Sequence, residues 1–303
     1  MRSNMMLLMA AAIWGLGFVA QRLGMDHMGP FTFNGLRFLL GALSLLPLLW
    51  WLKSRQPKPQ PGSPSGDRRL LLVGGLIAGG VLFSAASLQQ VGLLYTTAAK
   101  AGFITGLYII LVPVIGLALR HKTGANTWIG ALIAMAGLYY LSVTEEFTIG
   151  YGDLLQVIGA LFWAIHLLVL DHYSNRVAPI RLAGVQFVVC GLLSLGTAFV
   201  IETPTLGGAM AGWQALLYAG LVSVGIGYTL QVVGQRGAHP AHAAIILSLE
   251  TVFAAIGGVL LLGEILDERA IAGCALMLAG MLISQIRLRW WWKSRRDNVP
   301  NQP

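Results

Sequence analysis

The chain has 303 residues, of which 56% are hydrophobic and only 11% charged. Soluble domains carry about 25% charged residues, so this composition excludes an ordinary water-soluble domain, as does a mean hydropathy of +0.72. The net charge of +8 comes from basic residues scattered between apolar runs, a pattern that argues against a nucleic-acid partner.

Ten apolar runs follow one another: 5–23, 31–52, 70–90, 98–119, 126–143, 153–171, 180–200, 213–234, 241–262 and 270–288. About 20 helical residues cross a hydrocarbon core of about 30 Å. Backbone groups cannot stay unpaired in lipid, so spans are helices or a closed barrel; continuous runs without strict alternation select helices. The first run, behind Arg2, lacks a small-x-small cleavage site before polar sequence and reads as a retained helix. Residues 53–69, rich in Pro, Gly and Ser, read as a mobile linker. At the far end Trp290, Trp291 and Trp292 stand beside a basic cluster and read as a membrane-surface anchor. The two cysteines, Cys190 and Cys274, lie inside runs and form neither a disulfide framework nor a zinc motif.

With the N-terminus placed in the cytoplasm, 16 of the 20 Lys and Arg residues fall in cytoplasmic loops and tails. Asp26, Glu145, Glu146, Asp153, Glu202, Glu264, Asp267 and Glu268 fall on the other side. Basic residues are retained in the cytoplasm, so both termini are expected there.

The chain also matches itself. Residues 88–104 overlay 230–246 without a gap, pairing Gln89 with Gln231 and Gly92 with Gly234. A second overlay pairs Trp14 with Trp163, Pro30 with Pro179, Gly35 with Gly184 and Phe38 with Phe187. A third pairs Gly130 with Gly273 and Gly137 with Gly280. Five spans per half force the second half to enter from the opposite side. The expected fold is therefore an all-α membrane protein of ten transmembrane helices in two inverted five-helix repeats. The first repeat is 1–147, the second 148–289, and 290–303 form a basic cytoplasmic tail. Such inverted pairs build one site at the bilayer midplane.

The stretches IWGLGFVAQ (13–21), PFTFNGLRFLLGAL (30–43), AAKAGFITGLYIILVP (98–113), LSLETVFAAIGGVLLLGE (247–264) and AIAGCALMLAG (270–280) resemble those of the ten-helix EamA-like group of the drug/metabolite transporter superfamily. The resemblance implies a bacterial inner-membrane, multi-pass, non-enzymatic carrier that exports small metabolites such as amino acids, without a cofactor. Uptake or exchange of nucleotides, vitamins or drugs is the alternative, with an intramembrane lipid-modifying enzyme behind it. Two departures stand out: Thr251 occupies a position that is usually Pro, and Arg120-His121-Lys122 replace a common Gly-Glu.

An ionisable residue at a helix centre costs about 2.5–3.5 kcal/mol on insertion scales, so those present must face a cavity or a partner. Arg37 either clamps an anionic group of cargo or ties helices together; its overlay partner is Gln186. Glu250 is either a proton-coupling carboxylate or a structural one. His166 lies deep in its span, whereas Lys100 sits near a span end and can snorkel. Gln89 and Gln231 can bridge helices or meet cargo. Trp14, Trp163, Tyr108 and Tyr228 can pack or stack on cargo. His239 and His242 flank Pro240 and read as a capped helix start, with no third ligand for a metal. The sequence shows no ATP-binding or hydrolytic motif, and small-molecule cargo and membrane lipid are the expected partners.

Overall fold

The structure is a computed structural model that describes residues 2–54, 68–96, 98–142, 150–236, 238–262 and 268–285. Most of the linker at 53–69, the half boundary at 147, Glu145, Glu146 and the tryptophan-rich tail lie outside the described residues, as does the Lys100 side chain.

The described residues are helical throughout, with no strand among them. In chain order they form α1 (Arg2–Met25), α2 (Pro30–Ser44), α3 (Leu46–Ser54), α4 (Arg68–Gly92), α5 (Ala98–Thr105), α6 (Tyr108–Ala118), α7 (Ala125–Ser142), α8 (Tyr151–Ser174), α9 (Pro179–Ile201), α10 (Leu206–Ala211) and α11 (Trp213–Leu217). A π-helical stretch, Tyr218–Tyr228, then leads into α12 (Thr229–Gln235), followed by α13 (Pro240–Leu247), α14 (Glu250–Leu262) and α15 (Glu268–Gln285). Six helical segments are long and apolar enough to cross a membrane: Arg2–Met25, Pro30–Leu52, Arg68–Gly92, Tyr151–Ser174, Pro179–Ile201 and Trp213–Gln235. Shorter apolar helices run over Tyr108–Ala118, Pro240–Ile256 and Ile271–Ser284.

Several expected spans are therefore broken, each for a local reason. Pro47 has no N–H, and the chain tightens at Leu45, whose amide turns to Ala42 O at 3.2 Å. The run 98–119 breaks at Gly106-Leu107, where Leu107 N reaches Ile104 O and Ile109 N reaches Gly106 O. The run 241–262 breaks at Ser248-Leu249, where Leu249 N reaches Ile246 O and Thr251 N reaches Ser248 O. Both are short turns of the tighter three-residue kind, which in mid-helix often mark hinges.

Stretches that the sequence overlays meet one another in space, some residue on counterpart and some crosswise. The rings of Phe38 and Phe187 lie 6.3 Å apart between α2 and α9. Helices α7 and α15 pack closely along their lengths. Gly130 lies against Gly280, and Gly137 against Gly273, each glycine meeting the overlay partner of the other. A Cβ at Gly130 would stand 2.5 Å from Gly280 O, and one at Gly137 2.6 Å from Gly273 O. Only glycine permits that approach.

Carboxylates and histidines secure the two ends of the bundle. Glu202, just past α9, caps α2: its oxygens accept from Phe31 N and Thr32 N at 2.8 Å and from Thr32 Oγ1 at 2.6 Å. A carboxylate suits the positive end of a helix. At the end that carries the basic loops, His121 and His239 meet edge to face with ring centroids 6.4 Å apart. Nearby, Arg176 donates to His172 Nε2 at 2.6 Å.

Burial holds the His239 pKa below its ordinary value; a hydrogen bond to the Lys122 backbone opposes this, His121 adds to it, and Asp171 opposes it. The unfolded chain therefore binds more protons than the folded one, and stability falls as pH drops through about 6.5 and below. The expected outcome is a lower melting temperature in detergent at about pH 5.5 than at about pH 7.5, with a shallower dependence in His239→Gln. An unchanged dependence in that variant would rule His239 out as its source.

Candidate functional site

A cavity opens in the middle of the bundle, lined from both halves of the chain. It offers about 40 Å³ to the centres of water-sized molecules, room for about three waters. Its wall has two parts. Five sets of facing residues are overlay partners: Trp14 with Trp163, Phe18 with Leu167, Gln89 with Gln231, Thr105 with Leu247, and Tyr108 with Glu250. Four residues line it without a lining counterpart from the other half: Gln21, Arg37, Ser223 and Tyr228.

Arg37 is 2% exposed. Its guanidinium carbon lies 5.5 Å from the centre of the Phe33 ring and 5.0 Å from that of Phe38, so aromatic faces supply part of its stabilisation. Its Nε has no hydrogen-bond partner, and no carboxylate among the described residues pairs with it. A buried guanidinium with an unused donor is costly unless an anionic or polar group joins it.

Glu250 is 6% exposed and begins α14. Its Oε1 accepts from the Tyr108 hydroxyl at 3.3 Å. A glycine makes this placement possible. A Cβ at Gly15 of α1 would stand 2.6 Å from Glu250 O and from Phe253 Cβ, so α1 runs directly against the start of α14.

Tyr228 lines the same cavity as the two ionisable side chains. Its ring touches Trp14 at 4.5 Å, stacks on Trp163 at 6.1 Å with 22° between planes, and lies 5.7 Å from Phe38. It closes the π-helical stretch Tyr218–Tyr228. Two bonds fix that stretch to α1: Trp14 Nε1 donates to Ser223 O at 3.2 Å, and the Tyr218 hydroxyl donates to Ile13 O at 2.8 Å. The wider π turn re-aims side chains, which is why such turns gather at functional sites.

Eight of the ten residues singled out from the sequence thus meet in one cavity: Trp14, Arg37, Gln89, Tyr108, Trp163, Tyr228, Gln231 and Glu250. His166 and Gln186 do not line it. They are fully buried between α8 and α9 and bond each other at 2.9 Å from His166 Nε2 to Gln186 Oε1. Phe18, Gln21, Thr105, Leu167, Ser223 and Leu247 were not singled out. Phe18 and Leu167 were legible in principle, since each lies one helical turn beyond an overlaid tryptophan. Among the described residues no group of three or more His, Cys, Asp or Glu side chains forms a metal site.

The EamA-like transporter family model matches this chain twice, over residues 1–143 and 150–285. The chain belongs to that family. An uncharacterized transporter of Archaeoglobus fulgidus is 32% identical over 93% of this chain and 85% of its own length. The uncharacterized transporter YwfM of Bacillus subtilis is 25% identical, covering 92% of each chain. The uncharacterized inner membrane transporter YedA of Escherichia coli K12 is 25% identical over 84% of this chain and 81% of its own. A crystal structure shares the fold with a TM-score of 0.74 at 18% identity, covering 93% of this chain and 96% of its own. This EamA-like protein is a multi-pass membrane transporter and not an enzyme.

Proposed function

We propose that this EamA-like protein is a secondary carrier that exports a small zwitterionic or anionic metabolite, amino acids and their relatives foremost, by alternating access. In this reading ten spans form two inverted repeats, 1–147 and 148–289, in the bacterial inner membrane with both termini cytoplasmic. The observation that carries the proposal is Arg37: a buried cation with a free Nε, on the wall of a cavity between the two halves. Its planar fork suits a carboxylate. Glu250, on the wall of the same cavity, suits an ammonium group, and the rings of Trp14, Trp163 and Tyr228 supply apolar wall.

The inverted arrangement draws support from the overlay partners that touch, Phe38 with Phe187 and Tyr108 with Glu250. Contacts between equivalent residues fall on a twofold axis by construction. With no ATP-binding motif in the sequence, driving force comes from an ion gradient, the membrane potential or exchange of cargo. Glu250, an acidic residue in the cavity, is the candidate proton carrier.

The orientation is tested by labelling single cysteines in intact cells. Thr205→Cys should react with a membrane-impermeant maleimide from outside and Lys122→Cys only after permeabilisation; the reverse pattern would invert the topology.

Reconstituted protein should show saturable counterflow of a labelled amino acid or organic acid. Losing the charged contact to cargo costs about 2–5 kcal/mol, so Arg37→Ala should abolish measurable counterflow while the protein stays monodisperse. Arg37→Lys should rescue poorly, since an ammonium lacks the bidentate fork. A monodisperse Arg37→Ala protein with normal counterflow would exclude the clamp.

Glu250→Gln keeps shape and hydrogen bonding but removes titration. Cargo–cargo exchange should persist in it, slowed, while accumulation driven by a pH gradient is lost. Undiminished gradient-driven accumulation would make Glu250 structural and favour exchange against a second metabolite.

A further inference from the structure

Three helices meet where α1 and α4 end and α2 begins, and three contacts close the triangle. A Cβ at Gly24 of α1 would run into the Phe33 ring of α2. Asn34 Nδ2 of α2 donates to Ala86 O of α4 at 3.1 Å. Gln90 Nε2 of α4 donates to Gln21 O of α1 at 3.4 Å. This corner carries three buried amides, Gln21, Asn34 and Gln90, with Ser87 one turn before Gln90; none of the four is more than 7% exposed. Each amide gives its nitrogen to a backbone carbonyl, Gln21 to Gly17 O at 3.4 Å. A carbonyl only accepts, so the nitrogen must face it and the amide oxygen must turn elsewhere. Gln21 Oε1, Asn34 Oδ1, Gln90 Oε1 and Ser87 Oγ have no hydrogen-bond partner among the described residues. Buried amides left so are costly.

The second half shows that packing does not call for these groups. The overlays that pair Trp14 with Trp163 and Gln89 with Gln231 set Gln21 on Leu170, Asn34 on Ala183 and Gln90 on Val232. Those three are fully buried, and their helices α8, α9 and α12 also touch pairwise. Ser87 alone of the four has a polar counterpart, Thr229. The same corner is thus apolar in one half and oxygen-bearing in the other. Four neutral oxygens suit a cation of low charge: divalent ions are held through carboxylates, whereas uncharged oxygens can replace the hydration shell of a monovalent ion. The helix ends agree. α1 and α4 bring their partly negative C-terminal ends, and Glu202 covers the positive end of α2. Arg37, one turn past Asn34, opposes a cation, which makes the site a weak one.

We propose that Gln21, Asn34, Ser87 and Gln90 bind a small monovalent cation through their side-chain oxygens, at the edge of the central cavity that Gln21 also lines. The ion is either a free metal ion such as sodium or a protonated amine reaching past Gln21 from the cavity. The proposal does not rest on the carrier reading, and its test needs no cargo.

The test follows the melting temperature of the full chain in detergent as sodium chloride or ammonium chloride replaces choline chloride at constant ionic strength. A ligand of the folded state raises that temperature saturably, by about 2–4 °C at about tenfold above half-saturation. A response to sodium at lower concentration than to ammonium assigns a metal ion; a response to ammonium at equal or lower concentration assigns an amine. Melting that does not distinguish either salt from choline would overturn the site and leave its oxygens to water. Asn34→Ala and Gln90→Val install the residues of the second half, so both proteins should stay folded and lose the response. A full response in both would show that the cation binds elsewhere. If either variant is not monodisperse, Ser87→Ala removes one oxygen with little change in packing and should raise the half-saturating concentration by about threefold or more; an unchanged value there would overturn the proposed oxygen set.

Discussion

Hydrocarbon offers no hydrogen bonds, so every polar group carried into the bilayer must find its partner inside the protein. Most of this architecture follows from meeting that demand. Apolar runs become helices because a helix satisfies its own backbone. Where the backbone departs from regular helix, at Gly106-Leu107, Ser248-Leu249 and Tyr218–Tyr228, the departures lie beside the cavity. Irregular backbone at membrane depth is tolerated only where protein or water meets it. Buried side chains follow the same rule in part, with His166 Nδ1, Gln186 Nε2 and Asn34 Oδ1 left unpartnered. His166 and Gln186 meet each other, Asn34 donates to Ala86 O, and Gln156 donates to Gln89 O. Other buried polar atoms stay without a partner among the described residues, and four of them, Gln21 Oε1, Arg37 Nε, Trp163 Nε1 and Gln231 Oε1, belong to residues that line the cavity; Arg37 is the one of these that carries a charge.

Close packing sets the scale of the cavity. The facing glycines of α7 and α15 draw that pair together, and Gly15 draws α1 onto α14. With these helices in backbone contact, the remaining large side chains crowd toward the centre, where Trp14, Trp163, Phe38 and Tyr228 form one aromatic cluster. A cavity that holds a few waters needs a rigid wall to distinguish one small solute from another. Linked rings with few rotamers provide it at low entropic cost.

Much of this was legible in the sequence, because hydropathy and self-similarity are local signals. The matched tryptophans and glutamines marked the cavity wall, and rare ionisable residues inside apolar runs marked its poles. The helix breaks were not legible. Gly106 and Ser248 share no residue type, and neither is proline, so the overlay read as ending at Ile104 and Ile246. Tyr108 and Glu250 were each noticed separately, but nothing in a phenol and a carboxylate says that they are equivalent. The π-helical stretch was hidden for a similar reason: one wider turn in an apolar run changes no composition. His166 looked like a site residue by depth alone, yet depth does not tell which face of a helix a side chain leaves from.

The wall combines symmetry with its opposite, and the two have separate uses. Matched residues such as Trp14 with Trp163 and Gln89 with Gln231 present nearly the same surface to a cavity approached from either side. The proposed alternating carrier would require such a wall. A fully symmetric wall, however, would hold an asymmetric solute equally well in two opposite orientations. Arg37, Gln21, Ser223 and Tyr228 have no lining counterpart, and they bring a cation and a phenol to the wall without a matched group. The substitution of Gln186 for a second arginine is informative here. A second guanidinium at that depth would add another buried charge in need of a partner, whereas Gln186 satisfies His166 and withdraws from the cavity. In the proposed carrier, the matched positions would serve alternating exposure, and the few unmatched ones would decide which molecule is held and which way round it sits.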